Sequence, residues 1–296
     1  MPELPEVESL RRSLLPYLGG KTIQDVEVLK PKLVSASGTK RSEDHDKVRE
    51  FQNQVIGETI QDISRRAKHL IVHFVSGKCL VIHLKMTGQL VYTQNQVHMW
   101  GGHPIQTSEE QLPHKHSHII FHLDEGILYY NDVRMFGYIL YYPSFSQAQE
   151  YHAFGSLGVE PLSEDFTLTH FAEIQKKRKT IKSALLAQDI VTGLGNIYVD
   201  EVCFRARVQP QRLATHLSDL ETQQLYQAIR DILSKAVEMG GSSVANYILS
   251  DGSKGTYARE HKVYNRGGKQ CLICGTTLEK IKIQNRSTVY CSYCQT

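Results

Sequence analysis

The sequence predicts an α+β chain of more than one domain. It opens with a β-sandwich or barrel behind one leading helix, continues as a helical segment and closes on a small metal-bound hairpin. Three observations carry this reading. The 296 residues suffice for about two domains and an appendage, at about 100–200 residues per domain. The hydrophobic period changes from strand-like alternation to helical spacing across a linker around 142–161. Four of the six cysteines fall into two CxxC pairs near the C-terminus. The predicted boundaries are 1–145, 146–255 and 256–296.

The elements follow from local pattern. Pro5 suits a first helical turn, and Val7, Leu10, Leu14 and Leu18 recur at helical spacing until Gly19-Gly20 stops the run. Leu70, Val72 and Phe74 then alternate, Ser76-Gly77 turns the chain, and Leu80, Ile82 and Leu84 alternate again, which is a hairpin. A second hairpin runs through Ile119, Phe121 and Leu123, turns at Asp124-Glu125-Gly126 and returns through Leu128 and Tyr130. Between them, Gln89–Pro113 has no useful period and reads as a long loop, with His98, His103, His114, His116 and His118 in or beside it. Past the linker, Ala184–Asp189 and Ile197–Arg205 read as helices separated by Thr192-Gly193-Leu194-Gly195-Asn196. Close glycines of this kind leave backbone N–H groups for an anion. Ser218 with Glu221 forms a capping box ahead of Leu225, Ile229, Ile232, Leu233 and Ala236.

Composition narrows the function classes. With 41% hydrophobic and 22% charged residues the chain is an ordinary globular protein rather than a disordered or coiled-coil one. No apolar run approaches the roughly 18 residues of a spanning helix, and the acidic start Met1-Pro2-Glu3-Leu4-Pro5-Glu6 lacks the basic region of a signal peptide. The expectation is a cytoplasmic protein without membrane contact. Residues 251–296 carry eight Lys/Arg against three acids, whereas the first 250 hold 26 basic and 28 acidic groups. A basic tail on a mildly acidic body fits a polyanionic partner, although a solvated tail would look the same. The spacing of Cys271, Cys274, Cys291 and Cys294 fits one four-thiolate Zn2+ site with a hairpin between the knuckles. Cys79 and Cys203 sit among apolar residues and read as packing.

Six motifs then occur in one order. They are Pro2-Glu3-Leu4-Pro5-Glu6-Val7-Glu8, Arg65-Arg66-Ala67-Lys68, His83-Leu84-Lys85-Met86-Thr87-Gly88, Asp132-Val133-Arg134-Met135-Phe136-Gly137, Gly193-Leu194-Gly195-Asn196-Ile197-Tyr198 and the paired knuckles. Together they resemble the formamidopyrimidine-DNA glycosylases (the bacterial 8-oxoguanine DNA glycosylase and abasic-site lyase family) from residue 2 to residue 294. The resemblance implies an N-terminal catalytic β-sandwich over 1–145, a helix-two-turn-helix DNA-binding domain over 146–255 and a four-cysteine zinc finger over 256–296. It implies a monomer in the bacterial cytosol or nucleoid that acts on damaged double-stranded DNA in the cleft between domains. It also implies a bifunctional base-excision enzyme, which removes oxidised purines and then cleaves the strand by β/δ-elimination. Two alternatives are the sibling group specialised for oxidised pyrimidines and a non-catalytic zinc-dependent DNA-binding protein.

The implied roles agree with the chemistry of the residues. Once Met1 is removed, Pro2 is a secondary amine, and an α-amino group of pKa about 8 is partly neutral at pH 7, unlike lysine at about 10.4. Such an amine can attack the anomeric carbon and form a Schiff base. The resemblance places Glu3 on the sugar as a proton shuttle, with Glu6 close by, and adds Lys68 to the catalytic set. Asn196 and Arg286, together with Lys68, are implied to meet the phosphates beside the flipped nucleotide. The run Lys176-Lys177-Arg178-Lys179, with Lys182, reads from its charge as another phosphate-facing patch or, equally, as a solvated face. Met86, Arg134 and Phe136 are implied to fill the void left by extrusion. The segment Leu249–Tyr257 matches the family's lid over an oxidised purine.

Overall fold

The computed structural model describes residues 1–36, 41–95, 97–102, 112–150, 154–242 and 255–296, omitting the side chains of 97–100. The chain divides into two compact units, Met1–Gly155 with Gly240–Thr256 and Ser156–Met239 with Tyr257–Thr296. No described helix is long and apolar enough to cross a membrane.

The first unit begins with helix α1 (Leu4–Leu18), for which Glu3 is the extended N-cap residue and Pro5 lies in the first turn. The chain continues through β1 (Ile23–Val28), β2 (Val34–Ala36) and helix α2 (His45–Val55). Next come β3 (Ile60–Arg66), β4 (His69–Phe74), β5 (Cys79–His83), β6 (Gly88–Gln94), β7 (Val97–Gly102), β8 (Ser117–Leu123), β9 (Ile127–Asp132), β10 (Tyr138–Tyr142) and the short helix α3 (Phe145–Glu150). They form two five-stranded sheets, ordered β1-β8-β9-β6-β7 and β2-β10-β5-β4-β3. One apolar cluster draws on both sheets and both long helices, with Leu10, Leu14, Phe51, Phe74, Tyr92, Phe121 and Tyr130 all buried. The architecture is therefore a sandwich and not a barrel.

Part of the expected loop at 89–113 is strand. Residues 88–94 and 97–102 form the β6–β7 hairpin at the edge of the first sheet, and residues 103–111, with His103, lie outside the described residues. The alternation that marks a half-exposed strand is missing because Gly88–Tyr92 are buried on both faces. Leu90 and Tyr92 point to the sandwich core, and Val91 points to a second cluster with Ile120 and Tyr129. Gly101 is where α1 meets this hairpin, since a Cβ there would stand 1.9 Å from Leu10 Cδ1.

The second unit holds α4 (Leu168–Phe171), α5 (Ile181–Leu186), α6 (Asn196–Arg205) and α7 (Asp219–Glu238) around Phe166, Phe171, Tyr198, Leu225 and Ile229. Thr167 and Thr180 cap the first two helices, and the Ser218–Glu221 capping box starts α7. The final hairpin pairs β11 (Glu279–Ile283) with β12 (Arg286–Tyr290). Its two-residue turn places Gln284 at φ 47° and Asn285 at φ 60°, the left-handed pair of a type I′ turn.

Candidate active site and nucleic-acid interface

Pro2, Glu3 and Glu6 lie together at the head of α1, and all three are buried. The Glu6 carboxylate accepts the Glu3 amide on Oε2 at 2.8 Å and the Ser242 amide on Oε1 at 2.7 Å. Glu6 thus holds the backbone of Glu3 in place, and each of its carboxylate oxygens accepts a backbone amide. Gly241, at φ 81°, admits this contact, because a Cβ there would sit 2.7 Å from Glu6 Oε1. Ser242 is bridged to Thr256, and Gly255 packs so closely on the Gly240 and Gly241 carbonyls that its Cβ would lie 2.4 Å from each. The lid expected over 249–257 falls largely outside the described residues.

Lys68 occupies the two-residue turn between β3 and β4, where Arg66 pairs with His69. Ala67 takes φ 54°, a left-handed conformation uncommon for a residue with a side chain. Arg65 closes the turn by donating to the Ala67 carbonyl at 2.9 Å and to Glu8 on α1 at 3.2 Å. Glu8 also binds Arg11 and Arg12 at 2.8 and 2.9 Å. Burial raises its carboxyl pKa, but the guanidiniums of Arg11, Arg12 and Arg65 outweigh burial and hold it below the ordinary value. Glu8 therefore fixes the Lys68 turn to α1, the helix that follows Pro2.

The residues expected to fill the void come from two adjacent connections. The chain passes from one sheet to the other between β5 and β6 and again between β9 and β10. Gly88 pairs with Asp132 and His83 with Tyr138, so both connections leave the same corner of the sandwich. Met86 and Phe136 are 44% and 50% exposed there, too open for the packing role such side chains usually have. Arg134 bridges them, with Nη1 3.0 Å from Met86 Sδ and Cζ 4.5 Å from the centre of the Phe136 ring. Beneath the corner, His69 and His83 meet edge to face with ring centres 4.4 Å apart. His69 Nε2 lies 3.1 Å from the Tyr138 hydroxyl, and His83 Nδ1 accepts the Lys85 amide at 2.9 Å. Burial, reinforced chiefly by Lys85, lowers the His69 pKa to about 3. Burial, His69 and the same lysine lower that of His83 well below its usual value.

In the second unit Asn196 opens α6, and its Nδ2 donates to the Ser287 carbonyl at 3.0 Å. Ser287 follows the exposed Arg286 on β12, so Asn196 and Arg286 are brought side by side. Gln188 was not singled out from the sequence, yet it shapes the turn before Asn196. Its amide accepts from Gly193 N and donates to the Leu194 carbonyl, both at 2.8 Å. Lys182 is not available to phosphate. It is fully buried, and its ammonium binds Asp200 Oδ1 at 2.6 Å and the Ser287 carbonyl at 3.0 Å. Asp200 Oδ2 accepts from Val289 N at 3.0 Å, so the pair clamps β12 to α6. Burial raises the Asp200 pKa against the pull of Lys182. The next residue, Glu201, accepts three successive amides, those of Lys262, Val263 and Tyr264.

The sulfur atoms of Cys271, Cys274, Cys291 and Cys294 lie within 4.8 Å of one another. Tetrahedral zinc with Zn–S near 2.3 Å places sulfurs about 3.8 Å apart, and the pairs Cys271–Cys294 and Cys274–Cys291 stand at 3.9 and 3.5 Å. The Ile273 and Cys294 amides point at Cys271 and Cys291 Sγ, each at 3.4 Å. One structural Zn2+ fits this set, and four thiolates leave it no open position for catalysis.

Three family models cover the chain. The formamidopyrimidine-DNA glycosylase N-terminal domain matches residues 1–139, the H2TH domain of the same enzymes matches 157–247, and a zinc finger found in FPG and IleRS matches 268–296. The chain belongs to the formamidopyrimidine-DNA glycosylase family. Among curated family members, the Pelotomaculum thermopropionicum enzyme is 39% identical over 100% of this chain and 99% of its own. The Listeria innocua enzyme is 38% identical over the full length of both. Among solved glycosylase structures, wild-type Lactococcus lactis Fpg with DNA containing N7-benzyl-Fapy-dG has a TM-score of 0.84 at 34% identity, covering 100% of both chains. The same enzyme with abasic-site DNA also has a TM-score of 0.84 at 34% identity, over 99% of each chain. Family membership makes the chain a DNA glycosylase of base-excision repair with abasic-site lyase activity, a damaged-DNA partner and a structural zinc finger.

Proposed function

We propose that this chain excises 8-oxoguanine and formamidopyrimidines from duplex DNA and then cuts the abasic strand, with Pro2, freed of Met1, as the nucleophile. The Pro2 nitrogen forms a bond to C1′ as the glycosidic bond breaks; the electron pair of the broken bond leaves with the base, which takes up the proton that the Pro2 nitrogen gives up. Glu3 supplies a proton to the ring oxygen on opening, which leaves an iminium. Loss of a C2′ proton to a nearby base, Glu3 or Lys68, then expels the 3′ phosphate, and a second elimination releases the 5′ phosphate. Asn196 and Arg286 hold backbone phosphates, and Met86, Arg134 and Phe136 occupy the vacated stack. The functional division at 1–145, 146–255 and 256–296 and a place in the bacterial cytoplasm belong to the same reading.

The observation that carries it is the exposed Met86–Arg134–Phe136 cluster on the unit that also buries Pro2 and Glu3. An apolar tip, an aromatic ring and a guanidinium suit a helix gap. The test is cleavage of duplexes carrying 8-oxoguanine, formamidopyrimidine or thymine glycol with borohydride present, followed by mass spectrometry of the trapped adduct. The expected adduct is on Pro2, with oxidised purines preferred. A faster reaction on thymine glycol would favour the pyrimidine-directed relatives. An unprocessed Met1 form that cleaves as fast as processed protein would remove Pro2 from the mechanism.

A further inference from the structure

We propose that Asp132 is a positioning residue that sets Met86, Arg134 and Phe136 as one preassembled wedge, so that base extrusion and opposite-base discrimination both depend on this carboxylate. The inference rests on the reading of those three side chains as void fillers. Asp132 ends β9, and its side chain is fully buried beneath the two connections. Oδ1 accepts from the Thr87 hydroxyl and from the Arg134 amide at 3.1 Å, and Oδ2 accepts from the Gly137 amide at 2.8 Å. The Arg134 amide is also 3.1 Å from Thr87 Oγ1. One carboxylate therefore binds the residue after Met86, the backbone of Arg134 and the residue after Phe136. The two connections share an anchor at the base, as they share the Arg134 guanidinium at the tip.

The surroundings show that this anchor is specified. Gly137 cannot carry a side chain, because its Cβ would lie 1.9 Å from Tyr130 Oη and 2.7 Å from the His83 carbonyl. Gly88 is equally constrained, with its Cβ 2.5 Å from the Leu84 carbonyl and its amide bonded to that oxygen at 2.9 Å. Lys85 and Met135 both take left-handed conformations, at φ 50° and 54°. Such backbones persist only where the surroundings hold them, and here Asp132 supplies three of the holding bonds. Both carboxylate oxygens act as acceptors. An amide in their place has one acceptor oxygen and would turn its NH2 toward a donor.

The experiment compares kcat/KM on duplexes with 8-oxoguanine opposite cytosine or adenine and on an abasic duplex, for Asp132→Asn, Thr87→Val, Thr87→Ser and Phe136→Ala, with zinc content and thermal unfolding as controls. Asp132→Asn is expected to lose about thirtyfold or more on 8-oxoguanine, to lose clearly less on the abasic duplex, and to narrow the cytosine-over-adenine ratio. Thr87→Val, which deletes one of the donors, is expected to move the same way by about fivefold, and Thr87→Ser should restore wild-type behaviour. A packing defect would lower all substrates together. Should Asp132→Asn fail to fold, the Thr87 pair decides. Equal losses on lesion and abasic duplexes, or no effect of Thr87→Val, would overturn the inference. If Phe136→Ala itself shows no lesion-selective loss, the void-filling reading fails instead, and the two failures are distinguishable.

Discussion

Replacing Lys182 with methionine separates a clamp from a phosphate contact. The ammonium and the Asp200 carboxylate are 0% and 1% exposed and 2.6 Å apart. Methionine would leave a buried carboxylate with the Val289 amide and no cation. Removing one partner of a buried pair costs about 3–5 kcal/mol, which at about 3 °C per kcal/mol for a chain of this size is a drop of about ten degrees. The double variant Lys182→Met/Asp200→Asn removes the stranded charge and keeps an acceptor for Val289, so it should recover most of the loss. Urea unfolding of the wild type, both single variants and the double variant completes the cycle. A parallel titration of abasic duplex at several salt concentrations tests the alternative, since one lost phosphate contact lowers the slope of log K against log salt by about 0.9. The clamp predicts an unchanged slope. Unchanged stability together with a slope smaller by about one would return Lys182 to the DNA interface.

Acid should destabilise the first unit. Burial holds His69 at about 3 and His83 well below its usual value, against about 6.5 when unfolded. The unfolded chain therefore binds more protons over this window. Stability should be level above pH 6.5 and fall as pH drops toward 3, by about 2 kcal/mol per histidine at pH 5; a flat urea midpoint between pH 7.5 and 5 would contradict this. Zinc chelation, or Cys291→Ser, should dissolve the finger's cluster of Val263, Leu278 and Val289 and weaken duplex binding without unfolding the sandwich. Undiminished affinity in zinc-free protein would refute it. Gly101→Ala should cost about 1–3 kcal/mol, because its Cβ meets Leu10 in the core, and a shift in urea midpoint measures it.

What the sequence made legible was whatever depended on neighbours along the chain. The spacing of Leu10, Leu14 and Leu18, the alternation on either side of Ser76-Gly77, the Ser218–Glu221 box and the cysteine knuckles each mark an element by local chemistry, and each element is present. Helix α2 was not predicted, although Asp44 caps it and Val48, Phe51 and Val55 form its buried stripe. Strand β6 escaped because a strand covered on both faces has no polar side to alternate with. Lys182 was misread because charge is visible in a sequence and burial is not. The partner that removes it from solvent, Asp200, lies 18 residues away on another helix. Asp132 stood in a recognised motif, yet its bonds reach Thr87, 45 residues distant, through a strand pairing no local pattern encodes.

The bridge between Ser242 and Thr256 fixes where one part of this enzyme can be exchanged. The bridge holds positions 242 and 256 together within the first unit, and the entropy of closing a chain between two held points depends only weakly on the length between them. A segment from a relative, longer or shorter, can therefore be spliced between positions 242 and 255 as a cassette. A splice made only a few residues earlier would replace Gly241 and the Ser242 amide that Glu6 grips, and would place foreign backbone against the first turn of α1, two residues past Pro2.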